Sequence, residues 1–399
     1  MSRVLGVRSA TVVGLGAMLG TGVFAAWTPA LSLAGGWLFA ALALACAVAA
    51  LNAASTATLA RALPVAGGVY SFGRQFLGRP AGVLAGYSFV VGKAASAGAA
   101  ALTIGAYAWP AAQRPVAAAA VLVALAVDLR GVVRSVRVSA VLLVLVIAVL
   151  AAVSLGWVVA RPEPSSATLP PTTLAGVIGA AAVLFVAFAG YARITILGEE
   201  VRDPEATIPR AMTISFVVVL AIYAVVGCVV LTAALSGVAL SAASLDSVAV
   251  ATGLPVLPDA VRVGAVIAAG AALISLIAGV GRTLFAMGAA GDAPRFLATL
   301  SPRRVPSRGD IVAAVLALGV VMIGGIGSAL ALSGATVLVY YAVAHVAVLG
   351  RRRAGGAAPL GDLARGGRWW ADRESWVALL GLLGCATVIA GLLVALLQG

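Results

Sequence analysis

The stretch VVGLGAMLGTGVFAAW, residues 12–27, decides the fold because it places four glycines inside an apolar run long enough to cross a membrane. They are Gly14, Gly16, Gly20 and Gly22. Each glycine in a helix interior costs about 1 kcal/mol relative to alanine. The cluster therefore predicts an interrupted helix whose freed N–H and C=O groups face a cavity. Close packing of small residues, with the Gly16–Gly20 spacing, is the alternative interpretation.

The rest of the chain has the composition of an integral membrane protein. Its 399 residues are 63% hydrophobic and only 10% charged, with a mean hydropathy of +1.14, whereas soluble domains carry about 25% charged residues. A spanning helix needs about 20 apolar residues, and none of the runs alternates as β-barrel strands do. The sequence predicts an all-α polytopic membrane protein, a single transmembrane domain over residues 1–399. Its eleven apolar runs are 9–33, 36–60, 80–109, 114–128, 136–160, 173–200, 209–236, 259–289, 310–327, 329–349 and 376–397.

The net charge of +13 follows from loop arginines and does not indicate a nucleic-acid partner. The loops between the runs alternate between the two sides of the membrane. Of the positive residues, 21 arginines lie on one side and 3 on the other, while Lys93 and Arg193 lie within runs. Positive residues concentrate in cytoplasmic loops. The sequence predicts a multi-pass protein of the cell membrane, with the lipid bilayer as its surroundings and a cytoplasmic N-terminus.

A second, milder interruption occurs in the sixth run, LFVAFAGYARI, residues 184–194, where Gly190 and then Arg193 appear. The first run opens a block of five runs, 9–160, and the sixth opens another, 173–349, followed by the extra run 376–397. An odd number of spans makes the second block enter from the opposite side. Interrupted first helices in two oppositely inserted halves are typical of secondary transporters with inverted repeats.

Other classes of protein fit the sequence less well. The chain has one histidine, no acid pair at mid-membrane depth, and three cysteines far apart in sequence. We therefore expect no enzyme activity, no metal and no cofactor. A channel has no need for paired broken helices, but an amino acid sensor derived from a transporter remains an alternative.

Four stretches carry a resemblance to a known family. They are GLGAMLGTGVF (14–24), LPVAGGVYSFGRQFLG (63–78), FAGYARITILGEEVRDPEATIPRA (188–211) and SLIAGVGRTLFAMGAAGDAPRFLA (275–298). The chain resembles the amino acid–polyamine–organocation (APC) permeases. The resemblance implies a leucine-transporter-type 5+5 inverted repeat with discontinuous helices 1 and 6. This chain has one extra C-terminal helix, whereas relatives usually have two, so we expect about 11 transmembrane helices.

The resemblance also implies the site. Thr21 and Gly22 would bind the substrate carboxylate, and the carbonyls of Met18, Val186 and Ala189 would receive the α-ammonium. The full implied substrate-binding set is Met18, Gly20, Thr21, Gly22, Val186, Phe188, Ala189 and Gly190. The loop after the sixth run would act as a gate, with Glu199 and Glu200 as candidates.

Lys93, the only lysine in the chain, lies in the middle of the third run. A charged lysine at mid-membrane is costly and should face the bundle interior. Because a lysine that alternates between charged and neutral forms can couple protons to transport, Lys93 is the proton-coupling candidate. Some relatives use a lysine in helix 5 for this purpose, but helix 5 of this chain contains no lysine. Sodium coupling is the alternative, with Ser275 as a candidate ligand.

The predicted function is secondary active transport of amino acids by alternating access, as a proton-coupled symporter. No acidic residue lies at clear mid-membrane depth, so a neutral or broad range of α-amino acids is favoured over a cationic one. A cationic amino acid or polyamine transporter or exchanger is the alternative, and a homo-oligomer stays open.

Overall fold

The computed structural model describes residues 6–63, 67–131, 136–160, 168–195, 201–353 and 368–398. Ten helical segments in these residues are long and apolar enough to cross a membrane, which confirms an all-α multi-pass membrane protein. In chain order the helices are α1 (Val7–Met18), α2 (Gly22–Ala25), α3 (Trp27–Ala34), α4 (Leu38–Ala62), α5 (Gly68–Leu77), α6 (Arg79–Ala108), α7 (Gln113–Leu129), α8 (Val136–Ala160), α9 (Leu174–Phe188), α10 (Ala192–Thr195), α11 (Pro204–Leu235), α12 (Ser244–Ala251), α13 (Leu257–Ala289), α14 (Ser307–Ile323), α15 (Ile326–Arg353) and α16 (Arg368–Gln398).

The run 310–327 does not form one helix over its whole length. Helix α14 ends at Ile323 and α15 begins at Ile326, because Gly324 is fully extended and the Ser328 hydroxyl accepts the Gly325 N–H at 2.9 Å. The 17 residues of α14 lie at the lower end of the spanning range of about 17–25.

Two helices too short to span a membrane were not predicted. Helix α12 lies between α11 and α13, and α5 lies between the second and third predicted apolar runs. Gly67 and Gly68 start α5 with φ of +112° and +57°, a left-handed conformation that glycine adopts without strain. The helix buries one face, including Tyr70 and Phe72.

The buried Asp292 carboxylate anchors α5 to the α13–α14 connection. It accepts hydrogen bonds of 2.7 Å each from Tyr70 Oη, Arg74 and Arg79. Burial by itself would raise the pKa of Asp292, but the hydrogen bonds and the two arginine charges bring that pKa below its usual value. This cluster lies on the side of the bundle at which α1 begins, called the inner side below after the predicted orientation.

Helix α6 lies at the centre of the bundle. Every residue from 94 to 107 is buried, and most of these residues are alanine or glycine, which lets neighbouring helices approach closely. Near its outer end the Tyr107 hydroxyl donates to the Phe24 carbonyl at 2.9 Å and accepts the Leu245 N–H at 3.3 Å. Tyr107 thereby ties α2 and α12 to α6.

Candidate functional site

The first run is interrupted between α1 and α2, as predicted. Residues Leu19–Thr21 are not helical, and the amides of Gly20, Thr21 and Gly22 have no backbone acceptor among the described residues. The Thr21 hydroxyl is buried without a hydrogen-bond partner in the same part of the chain. Buried polar groups are nearly always paired, so this break presents donors that a ligand could use.

The sixth run is interrupted by a tighter turn. Helix α9 ends at Phe188, Ala189–Tyr191 form a 3-10 turn, and α10 follows. The Ala189 N–H donates back to the carbonyls of Phe185 and Val186. The second break therefore tightens the helix into a 3-10 turn and leaves fewer backbone N–H groups without an acceptor than the first break does.

The two breaks lie in direct contact, and glycines allow it. A Cβ at Gly22 would overlap Ala187, and a Cβ at Gly190 would overlap the main chain of Ala17 and Met18. Small residues at these points bring the two main chains within reach of one small ligand.

The other glycines of the opening stretch behave differently from one another. Gly14 packs on Ile194 and Gly20 on Ala272, whereas Gly16 is exposed with no atom within 4 Å of where a Cβ would lie. Gly16 and Gly20 therefore do not form the small-residue packing pair that their spacing allowed.

Tyr223 of α11 is a residue that the sequence reasoning missed. Its hydroxyl donates to the Met18 carbonyl at 2.7 Å and lies 3.2 Å from the Ala187 carbonyl, so it joins the two breaks. The available signal was a tyrosine in the middle of a long apolar run, because a buried tyrosine hydroxyl usually has a hydrogen-bond partner.

Two of the carbonyls predicted to bind the substrate ammonium already accept a hydrogen bond within the protein. The Met18 carbonyl accepts from Tyr223 and the Val186 carbonyl accepts from Ala189, yet each carbonyl oxygen has two lone pairs and can accept again. Phe188 is fully buried, with its ring centroid 5.2 Å from that of Tyr223. Phe188 therefore packs behind the break in an aromatic cluster.

The two coupling candidates have different surroundings. The Arg193 guanidinium donates to the Ser275 hydroxyl. Lys93 itself is half-buried, with Nζ 6.0 Å from the centroid of the Phe89 ring. The gating candidates Glu199 and Glu200 lie outside the described residues.

Two cavities lie near the outer end of the bundle. One, of about 330 Å³, is lined by Thr28, Pro29, Ser32, Leu240, Ser241, Ala242, Ile326 and Gly327. The other, of about 200 Å³, shares Pro29, Ser32 and Gly327 with it. Their linings do not include residues of either break, so we place the candidate site at the breaks on chemistry and not on cavity volume.

A sequence model of the amino acid permease family matches residues 9–360. The chain belongs to the amino acid permease family. An uncharacterized transporter of Mycobacterium tuberculosis is 41% identical to this permease over 355 residues, which are 88% of this chain and 80% of the relative.

Two further relatives, both from Bacillus subtilis, have more specific names. A methylthioribose transporter is 27% identical over 382 residues, 88% of this chain and 82% of its own. A branched-chain amino acid permease is 26% identical over 337 residues, 76% of this chain and 70% of its own. The family and the relatives together identify the permease as a membrane transporter of amino acids.

Proposed function

We propose that the permease moves an α-amino acid across the cell membrane by alternating access, binding its zwitterionic part between the two breaks. The observation that carries the proposal is the buried, unpartnered Thr21 hydroxyl beside the free amides of Gly20–Gly22. A substrate carboxylate would accept hydrogen bonds from these donors, as anions do at helix N-termini. Carbonyls at the second break, such as that of Ala189, would receive the ammonium group.

On the outer side the Tyr107 hydroxyl donates to the Phe24 carbonyl, just beyond the first break. Alternating access then requires the Tyr107–Phe24 contact to separate when the site opens to that side. Two inverted blocks, 9–160 and 173–349, with a cytoplasmic N-terminus, complete the proposal.

Protons are the coupling ion that the contacts favour. Sodium would need the Ser275 hydroxyl as a ligand, but the Arg193 guanidinium already donates to it. A fixed positive charge at this point repels a sodium ion. Lys93 is the group proposed to take up and release the proton.

The same two cations bear on the substrate. A cationic amino acid or polyamine would be repelled by Lys93 and Arg193, so a neutral or anionic side chain fits better than a cationic one. An amino acid sensor would keep the binding site but would not accumulate its ligand.

Uptake of labelled amino acids into proteoliposomes tests the proposal. We expect accumulation that follows an imposed pH gradient and ignores a sodium gradient. The Lys93→Gln variant should lose gradient-driven uptake, whereas Arg114→Gln, which removes an exposed positive charge elsewhere, should keep it. Binding without accumulation would identify a sensor, and sodium-driven accumulation would overturn proton coupling.

A further inference from the structure

Asp310 is a fully buried acid near the inner side of the bundle. It lies in the first turn of α14, after the connection that carries Asp292. Neither oxygen of the Asp310 carboxyl group has a hydrogen-bond donor in the described part of the chain. Buried polar groups are nearly always paired, and a buried charge without a partner is strongly destabilising. The Asp310 carboxyl group therefore needs a proton or a ligand.

Two glycines allow the main chain of α13 to enclose this carboxyl group. A Cβ at Gly281 would overlap Asp310 Oδ1, and a Cβ at Gly309 would overlap the Gly281 carbonyl. Because neither glycine has a side chain, α13 and α14 approach each other closely at this level. The approach keeps water away from Asp310, so hydration cannot stabilise a negative charge there.

A polar neighbour of Asp310 is a second carboxyl group, that of Asp128 in α7. The two carboxyl groups are hydrogen-bond partners of each other, and Asp128 Oδ2 likewise has no N–H or hydroxyl donor among the described residues. Ionised carboxylates only accept hydrogen bonds, so the contact requires a proton on one of the two groups. Carboxyl groups that share a site in this way hold one proton between them.

The positive charges around the pair come from arginines. Arg282, which follows Gly281 in α13, acts on both carboxyl groups, and no ion pair of the described residues includes Asp128 or Asp310. A pair that holds one proton keeps one negative charge, which Arg282 offsets. The other charged or titratable side chains of the elements packed around the pair are the exposed Arg130, Arg295, Arg303, Arg304 and Arg308, together with Tyr87 and Lys93 of α6.

We infer that the permease binds one proton between Asp128 and Asp310, and that this proton holds the inner ends of α7, α13 and α14 together. Loss of the proton as the pH rises leaves two negative charges in contact, which repel each other strongly at a buried site. The inner ends of the helices then separate. The inference is independent of the proposed function, because it involves neither the helix breaks nor Lys93.

Thermal unfolding of the purified permease at a series of pH values tests the inference. The shared proton stabilises the folded protein at low pH and is lost as the pH rises, so the wild-type transition temperature should fall between about pH 5 and pH 8, a range to which carboxyl groups sharing a site can shift. In Asp310→Asn the amide donates to Asp128 without a proton, and this fall should be smaller by about 2 °C or more. Asp128→Asn should have the same effect.

Asp259→Asn is the matched control, because Asp259 is an exposed acid at the start of α13 and its variant should keep the wild-type dependence on pH. Curves of wild type and pair variants that run parallel indicate a packing role alone and overturn the inference. Stabilisation of the wild type by sodium or calcium ions at fixed pH and ionic strength, absent in the pair variants, assigns the pair to a metal cation and also overturns it. If Asp310→Asn does not fold, the half-buried Asp128 carries the comparison. A wild-type transition temperature that rises over this pH range overturns the inference without any variant.

Discussion

The two helix breaks occupy corresponding places in the chain, yet their main chains are used differently. At the first break, Leu19–Thr21 leave the helix and three amides find no backbone acceptor in the described part of the chain. At the second, Ala189–Tyr191 tighten into a 3-10 turn and the Ala189 amide stays bonded. The two breaks therefore present different groups. The first break has N–H donors that could bind an anion, and the second has carbonyl groups and aromatic rings packed against the first.

The largest expected effect is from Gly190→Ala, which separates the two breaks. The new Cβ would overlap the main chain of Ala17 and Met18, so the backbone must shift. Overpacking of this kind costs about 1–3 kcal/mol. We expect uptake to fall close to background and the thermal transition to move to lower temperature. Unchanged uptake would show that the two main chains need not touch.

Thr21→Val is expected to be the next largest, since it removes the hydroxyl at the first break while keeping its shape. A hydrogen bond to a charged group contributes about 1.5–3 kcal/mol, so substrate affinity should fall about 10- to 100-fold. Thr21→Ser is the matched control and should bind nearly as well as the wild type. Affinities are measured by competition for uptake. Equal affinities of the valine variant and the wild type would remove Thr21 from the site.

Tyr223→Phe tests the bridge between the two breaks. The hydroxyl contacts the carbonyls of both Met18 and Ala187, and one such hydrogen bond contributes about 1 kcal/mol. We expect the uptake rate to fall by about 5-fold, with Tyr87→Phe, which is remote from the breaks, as the control. Equal rates in the two variants would argue against a bridging role.

Gly16→Ala should have the smallest effect and is the counterpart of the Gly190 substitution. The Gly16 position has open space around it, and alanine favours a helix by about 1 kcal/mol over glycine. We expect unchanged uptake and an equal or higher thermal transition. A loss of function comparable to that of Gly190→Ala would mean that every glycine of the stretch serves the same purpose.

Several features of the site were predictable and others were not. The interruptions near Gly20 and Gly190 were predicted, because breaks in membrane helices need residues that tolerate unusual backbone conformations. Tyr223 was missed because its partners lie more than thirty residues away in the chain. The contact of Arg193 with Ser275, eighty-two residues apart, was missed for the same reason.

The sequence by itself determined the membrane environment, the order of the apolar segments, and the positions at which two of them lose regular helix. These properties depend on composition and on local backbone preference, which act over about twenty residues. Tertiary structure alone decided which glycines bring main chains together and which one faces open space. It also decided that Arg193 contacts Ser275, because contacts between distant segments depend on how the helices pack and not on the order of residues within any one helix.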